Sequence, residues 1–165
     1  MSGAPDTRNG GVPTRPRYSS PAVLEIVAAA LAPEVAVWAQ SKDIEGVARD
    51  LVQAMSSGNQ DAYAIARELE RTRYYDPDRD LVEILDAADF WGARDSLVAD
   101  WVSANGISAP LEVGSKVRAR HGDGVISKVD QKLATYVVSQ PDDRPGCGVI
   151  VAAEDCAAIS SAVDA

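Results

Sequence analysis

Apolar residues recur with two different periods along the chain, and the period changes near residue 110. Upstream, they fall three or four positions apart, as at Ile44, Val47 and Leu51, which is typical of amphipathic helices. Downstream, they fall at every second position between breaks at Gly and Pro, which is typical of short strands. The pattern therefore predicts an α+β protein, with a helical half followed by a small β half.

The helical half is predicted to span residues 20–106 and to form a compact bundle of about five helices. Ser20 is a good cap residue, Pro21 suits the first helical position, and Pro33 is expected to end the first helix. Further helices are predicted over residues 43–55, 61–74 and 91–105, with one more after Asp76-Pro77, where Asp76 is the expected cap. Residues 34–40 are predicted as a short helix, although their alternating pattern also fits a strand. Short connections between these segments favour antiparallel neighbours, which is the arrangement of a bundle.

The β half is predicted to hold four or five short strands in residues 111–160. Residues 116–121 alternate charged with small or apolar side chains, and Gly122-Asp123-Gly124 is the expected hairpin turn after them. A second strand is predicted at residues 125–129, followed by a turn at 130–132. Later strands are predicted at residues 134–139, 148–152 and 157–160, with a single helical turn at 153–156. Residues 107–110 are interpreted as the linker into this half.

This order of strands and turns, with glycines at Gly114, Gly122 and Gly124, resembles the small β-barrels of the Src-homology-3-like and KOW-type superfamilies. The resemblance covers under a third of the chain and implies a C-terminal barrel over residues 111–160. Families with this barrel include peptide binders, methyl-lysine readers and modules that contact RNA, ribosomes or RNA polymerase, so the resemblance leaves function open. Polyproline and methyl-lysine recognition need several aromatic side chains along a groove, whereas this segment holds only Tyr136. Those two uses are therefore disfavoured.

The two ends of the chain are predicted to lie outside the folded halves. Residues 1–19 form a basic arm that is too rich in Gly and Pro to bury apolar area, so we expect a flexible segment. Residues 161–165 are interpreted as a tail. No stretch approaches the roughly 20 consecutive apolar residues of a membrane span, and the first residues lack the apolar core of a secretory signal. We therefore expect a cytoplasmic protein that does not contact a membrane.

Charge is distributed unevenly over the chain, whose formal net charge is −9. Residues 19–105 hold seven Lys plus Arg and sixteen Asp plus Glu, net −9, while residues 106–165 hold six and eight, net −2. An acidic helical bundle repels phosphate backbones, which makes it a poor candidate for direct contact with nucleic acid. Such a surface can serve solubility, dock on a basic partner, or imitate a nucleic acid in order to occupy a protein that binds DNA or RNA.

One strand of the β half carries the main candidate for a binding site. Lys116, Arg118 and Arg120 fall on one strand face. Lys128 on the neighbouring strand extends this face, and Tyr136 adds the one aromatic ring of the segment. Cations at every second position can follow a row of phosphates or carboxylates. They can equally form a solvated strand that resists aggregation, or be met by the carboxylates of the bundle.

Side chains suited to catalysis are scarce. His121 is the only histidine, and a Cys147 nucleophile activated by His121 and oriented by Asp123 is the one arrangement available for hydrolysis. A cysteine between two glycines is more often an incidental small residue, so no catalytic residue is predicted. Cys147 and Cys156 are the only cysteines, and a cytosolic setting keeps such thiols reduced, although the sequence leaves a pairing between them open.

Neither a metal site nor a cofactor site is predicted. Asp76, Asp78 and Asp80 have the spacing that opens a calcium loop, but Leu81 and Ala87 stand where that loop requires Gly and Glu. The two cysteines and the single histidine lack a fourth ligand and the close-paired spacing of a zinc site.

The sequence thus favours a non-catalytic protein that acts as an interaction or adaptor module and binds another protein through the acidic bundle, the barrel or both. Two alternatives stay open: binding of nucleic acid or ribonucleoprotein through Lys116, Arg118 and Arg120, and inhibition by an acidic surface that mimics nucleic acid. A cysteine-dependent hydrolase is the least favoured. The oligomeric state is not predicted.

Overall fold

The computed structural model describes residues 14–58, 60–73, 75–141, 143–144 and 146–159. The chain is α+β: α-helices are followed by a five-stranded antiparallel open sheet. It divides into two compact units, Met1–Leu97 and Val98–Ala165. Residues 1–13 of the predicted arm and the predicted tail at 161–165 lie outside the described residues.

Five α-helices are described, and the first unit encloses four of them completely. They are α1 (Pro21–Trp38), α2 (Ile44–Ser56), α3 (Ala62–Arg73), α4 (Arg79–Leu85) and α5 (Phe90–Ala104). The division between the units falls inside α5, so the expected self-contained bundle of about five helices is corrected to four helices and the start of a fifth. The predicted linker at residues 107–110 lies within the second unit, where Ala109 is buried in a core.

The first helix continues through Pro33, and the separate short helix predicted at residues 34–40 is wrong. Proline has no N–H to donate to the carbonyl four residues earlier and normally ends or kinks a helix. Here the buried face runs without a break across it, with Leu31 and Ala32 before and Val35 and Ala36 after. The burial of a continuous apolar stripe outweighs the loss of one backbone hydrogen bond.

The first unit has one apolar core, to which α1 to α5 all contribute. Its largest fully buried side chains are those of Leu51, Met55, Ile65, Leu69, Leu81 and Leu85. Substitution of one such leucine by alanine typically costs about 2–5 kcal/mol, because the surroundings collapse only partly into the cavity. This core fixes the positions of α1 and α5, which form the groove described below.

The fourth helix is capped by Asp78, which corrects the expectation that Asp76 is the cap. An Asp78 carboxylate oxygen accepts hydrogen bonds from the Leu81 N–H at 3.0 Å and from Trp38 Nε1 at 2.9 Å. These donors hold the pKa of Asp78 below its usual value, with the Leu81 N–H as the largest cause. The Trp38 ring also stacks on Tyr75, with ring centroids 6.1 Å apart. The cap therefore joins the end of α1 to the start of α4.

The second unit contains the sheet. Its strands are β1 (Lys116–Ala119), β2 (Gly122–Asp130), β3 (Thr135–Ser139), β4 (Val149–Ala152) and β5 (Ala157–Ala158), with one 3-10 turn at Ala153–Asp155. The order across the sheet is β4-β3-β2-β1-β5, and every neighbouring pair is antiparallel. One face buries Val117, Ile126, Tyr136, Val138 and Val151.

The first hairpin turns two residues earlier than expected. Ala119 pairs with Gly122, so the turn is Arg120-His121 and the predicted Gly122-Asp123-Gly124 turn belongs to β2. Gly122 has φ +118°, a value that L side chains rarely adopt, and it allows the chain to re-enter the sheet directly after the turn. A Cβ on Gly124 would lie 2.8 Å from the Ser139 carbonyl oxygen, so this glycine permits close approach of β2 and β3.

Candidate functional site

Lys116 and Arg118 lie on the exposed face of β1, whereas Arg120 lies in the turn after it, and one of these three predicted cations is already paired. Arg118 forms two hydrogen bonds to the carboxylate of Asp123, at 2.8 and 3.0 Å, directly across the hairpin. This pair raises the pKa of Arg118 and lowers the pKa of Asp123, in both cases chiefly through the hydrogen bonds. Lys116 and Arg120 are also exposed. The face therefore presents less free positive charge than its sequence suggests.

The two remaining candidates of the β half lie on opposite faces of the sheet. Lys128 is exposed and lies opposite Val137 on β3. Tyr136 is only 1% exposed, and its hydroxyl oxygen accepts a hydrogen bond from the Leu111 N–H at 3.0 Å. The inclusion of Tyr136 among the binding residues is therefore corrected: it is a core residue that fastens the entry to β1.

The residues of the hypothetical hydrolase form no hydrogen-bonded array in the part of the chain that the structure describes. The Cys147 thiol is exposed, while its backbone carbonyl accepts a hydrogen bond from Ser139 Oγ at 2.8 Å. The backbone carbonyl of His121 accepts one from Gln140 Nε2 at 2.8 Å. Burial raises the pKa of the Cys156 thiol, and the nearby Asp155 carboxylate acts in the same direction. Both cysteines are free thiols, and neither is activated by a described hydrogen-bond partner.

Metal ligation has no candidate cluster among the residues whose positions are described. No group of three or more His, Cys, Asp or Glu side chains is placed so that it could hold an ion. The Asp78 carboxylate is engaged in capping α4, which is the structural use of the acidic series that opens a calcium loop.

An apolar groove in the first unit is the feature best suited to binding. It has a volume of about 260 Å³ and lies between α1 and the region of α5 up to Ser96. Its walls are mainly apolar or small and are formed by Ile26, Val27, Ala30, Leu31, Ala87, Ala88, Asp89, Gly92, Ala93 and Ser96. Sites for small molecules are usually larger, roughly 300–1,000 Å³, and enclose their ligand. A shallow groove between two helices instead suits the side chains of a partner protein.

The groove continues onto an exposed side of α1 that is unusually apolar. Ile26 is 43% exposed and Val37 is 80% exposed, and Ala29, Ala30 and Pro33 are exposed between them. The buried side of the same helix is also apolar, so Glu25 and Glu34 are the only polar residues around the circumference of α1. Such a helix is normally covered on all sides. Its outer side is therefore a surface that lacks a cover in the described chain.

The same composition makes α1 the one described helix that is long and apolar enough to span a membrane. It has 18 residues and a mean hydropathy of 1.6, and 44% of it is buried within the fold. A buried core helix of a water-soluble protein passes the same test, so this finding alone does not indicate a membrane.

The charges around the groove are acidic. Glu25 and Glu34 are exposed on α1, which contains no Lys or Arg. Asp89 is the only charged residue in the walls, and its carboxylate accepts a hydrogen bond from the Gly92 N–H at 2.7 Å. A Cβ on Gly92 would collide with that carboxylate, which explains a glycine at this position of α5.

The start of α1 is held against α5 by a small aromatic cluster. Tyr18 packs edge-to-face on Trp91, with ring centroids 4.3 Å apart, and its hydroxyl oxygen accepts a hydrogen bond from Arg94 at 2.8 Å. The Arg94 guanidinium lies over both rings and forms an ion pair with Asp95. Burial raises the pKa of Tyr18. The cluster therefore joins the segment before α1 to α5.

The sequence interpretation did not find the groove, although a signal was present. Ala29, Ala30 and Val37 lie on the side of α1 opposite its core residues, and an amphipathic surface helix would carry polar residues there. The expected stop at Pro33 divided this helix in two and hid the pattern. A scan against protein-family models and searches of curated proteins and of solved structures found no match to the chain.

Proposed function

We propose that this is a non-catalytic interaction protein whose helical unit receives a segment of another protein in the groove between α1 and α5. The observation that carries the proposal is the exposed apolar side of α1, which includes the 43% exposed Ile26 and continues into the groove. Covering such a surface removes apolar area from water, at roughly 25 cal/mol per Å². An amphipathic helix laid between two helices is a recurring way to do this.

Charge favours a protein over a membrane or a nucleic acid as the occupant. Helices that bind a lipid surface are rich in Lys and Arg, whereas α1 has none and exposes Glu25 and Glu34. The same carboxylates repel phosphates. A protein segment with apolar side chains and flanking cations satisfies both the groove and its rim.

The finer features of the fold belong to the same proposal. We infer that the sheet is a Src-homology-3-like module, because β1 lies between β2 and β5 and a 3-10 turn precedes β5, as that resemblance implies. We also infer that the helical unit acts as an acidic bundle, given its excess of carboxylates. In this proposal the sheet unit is a second interaction module.

Nucleic-acid binding through β1 is the weaker alternative. The bidentate pair of Arg118 with Asp123 occupies the middle cation of the row. Tyr136, the one aromatic ring of the sheet, is buried, so the exposed face offers no ring on which a base could stack. Inhibition by an acidic surface that mimics nucleic acid remains an alternative role for the helical unit. It predicts binding that depends on the exposed carboxylates rather than on the groove.

A matched pair of substitutions on α1 tests the groove. Ala30 lines it, and the neighbouring Ala29 is also exposed but does not. Ala30→Gln places a larger polar side chain in the groove, and Ala29→Gln makes the same chemical change beside it. Both keep a good helix former, so neither should unfold α1. Wild type and both variants would be immobilised and used to capture proteins from the native host, with quantification by mass spectrometry.

The proposal expects proteins that wild type and Ala29→Gln retain alike and that Ala30→Gln loses by about tenfold or more, a change of roughly 1.4 kcal/mol. Equal retention by the two variants would contradict it. If the double variant Glu25→Gln with Glu34→Gln lost the captured proteins and Ala30→Gln retained them, the result would favour an acidic surface that mimics nucleic acid. If the protein bound lipid vesicles and Ala30→Gln abolished that binding, a membrane would replace a protein as the proposed occupant of the groove.

A further inference from the structure

The outer edge of the sheet at β4 is exposed and apolar. In the strand order β4-β3-β2-β1-β5, β4 has β3 on one side only. Ile150 is 72% exposed and Val149 is 41% exposed. Residues 146–153 contain no charged side chain and no proline. Proteins usually protect a sheet edge with Lys, Pro or a cover, and β4 has none of these among the residues that the structure describes.

The hydrogen bonds of the sheet show which backbone groups of β4 point outward. Ala153 N–H donates to the Ala134 carbonyl at 2.9 Å, so residue 153 faces β3. Along an antiparallel strand the direction alternates, and Val151, opposite Tyr136, therefore also faces β3. Ile150 and Ala152 point their N–H and C=O groups away from the sheet.

The bonding of β3 agrees with this assignment. Val137 lies opposite Ile150, so its backbone groups should point towards β2. Its carbonyl does accept a hydrogen bond from the Ser127 hydroxyl on β2, at 3.1 Å. Within the described chain, no other segment hydrogen-bonds to the outward groups of Ile150 or Ala152.

We propose that β4 pairs with β4 of a second copy of this chain, in an antiparallel and two-fold symmetric arrangement. The two outward-facing residues flank Val151, which places the symmetry axis at Val151. Ile150 then lies opposite Ala152 of the second copy, and Ala152 lies opposite its Ile150. Each of these pairs exchanges two backbone hydrogen bonds, about four in total.

The side chains of the edge fit this partner. Each exposed Ile150 comes to lie beside an alanine, so a large side chain meets a small one. The 146–153 segment carries no charge, so no like charges meet across the axis. Glu154, the first charged residue after it, would lie opposite the uncharged Gly148. The contact is small compared with a stable dimer interface of roughly 1,200–2,000 Å², so the dimer should be weak and concentration-dependent.

The backbone offers a clean test, because Ala152 has φ −65°. Proline adopts this value without strain, and its missing N–H removes only an outward donor, so Ala152→Pro should leave the monomer folded. Ile150→Lys is a second variant, which places a charge at the axis without changing the backbone. Val125→Lys is the matched control, since Val125 is 40% exposed on the central strand β2.

Sedimentation velocity of the full chain, in reducing agent to keep Cys147 and Cys156 as thiols, would be recorded from micromolar to millimolar concentration. The proposal expects a monomer–dimer equilibrium in wild type and Val125→Lys and a monomer in both edge variants. It also expects the Ile150 and Ala152 amides to exchange more slowly at high concentration. A wild type that stays monomeric, or edge variants that dimerise as wild type does, would overturn it. Circular dichroism of each variant would show that the fold is intact.

Discussion

Three carboxylates in the segment 76–80 look equivalent in the sequence, but only one of them has a cap's hydrogen bonds. Asp78 accepts hydrogen bonds from the Leu81 N–H and the Trp38 indole N–H, whereas the Asp76 carboxylate accepts none within the described chain. We predict that Asp78→Ala lowers the thermal midpoint of the helical unit and that Asp76→Ala leaves it nearly unchanged, because only the former leaves two donors without their acceptor. Thermal unfolding followed by circular dichroism measures both. Equal effects would show that Asp78 is not the cap.

The same residue gives a pH dependence whose sign follows from its lowered pKa. Because the folded state binds the proton of Asp78 less readily than the unfolded state, its contribution is complete above the unfolded pKa of about 4. That contribution is lost as the pH falls through the lower folded pKa. Asp78→Asn keeps a cap acceptor without the charge, so its stability should vary less with pH in this acid range than that of wild type.

The role of a single residue could be predicted where its neighbours in the sequence determine that role, and was missed where the tertiary fold determines it. A carboxylate before α4 was a sound prediction, but the choice of Asp78 over Asp76 depends on the position of Trp38, which comes from a different part of the chain. Tyr136 was predicted to be a binding residue because it is the one aromatic ring of its segment, yet it is buried in the core of the sheet unit. The register of strand pairing decides which face of the sheet the Tyr136 side chain lies on, and the sequence alone does not determine that register.

At the scale of elements, α1 shows how tertiary packing overrides a local signal. Pro33 should have ended the helix, yet the apolar stripe continues past it. We predict that Pro33→Ala raises the free energy of unfolding by about 1–3 kcal/mol, because an N–H becomes available to the Ala29 carbonyl and the ring clash is removed. Denaturation in urea, followed by circular dichroism, measures the change.

The other proline of the same helix is the control. Pro21 stands at the first helical position, where a backbone N–H has no partner within the helix, so Pro21→Ala should change the stability by a few tenths of a kcal/mol at most. A Pro33→Ala variant no more stable than wild type would mean that α1 already accommodates its proline at no cost.

The elements themselves were largely predictable, because the spacing of apolar residues distinguishes helix from strand over a window of about 11–18 residues. The 3-10 turn before β5 and the strand at 135–139 agree with the expectation. The hairpin at Arg120-His121 was misplaced, because Gly122-Asp123-Gly124 has the composition of a turn, whereas only Gly122 of its two glycines takes a positive φ and all three residues belong to β2. The sequence carried a signal for the exposed apolar side of α1, but not for the groove itself, which needs the relative positions of two distant helices.

At the scale of the molecule, the net charge of −9 disfavours binding to the negatively charged phosphates of nucleic acid. We predict that the protein has no nucleic-acid affinity that falls steeply between low and moderate salt, because its excess of carboxylates repels phosphates and Arg118 in the row of cations is already paired with Asp123. Fluorescence anisotropy with single-stranded RNA and duplex DNA, over a series of salt concentrations, measures this.

The double variant Arg118→Glu with Arg120→Glu serves as the control and should behave as wild type does. A steep salt dependence that this variant abolishes would move the function from protein binding to nucleic-acid binding.

The two ends of the sheet differ in a way that limits growth. If β4 joins β4, the outermost strand on each side of the joined sheet becomes β5, which is only two residues long. A strand that short offers too few backbone groups to recruit another copy, so the assembly should stop at two chains and not polymerise. Each such pair would carry two α1–α5 grooves, and a partner with two matching segments would be held far longer than one with a single segment.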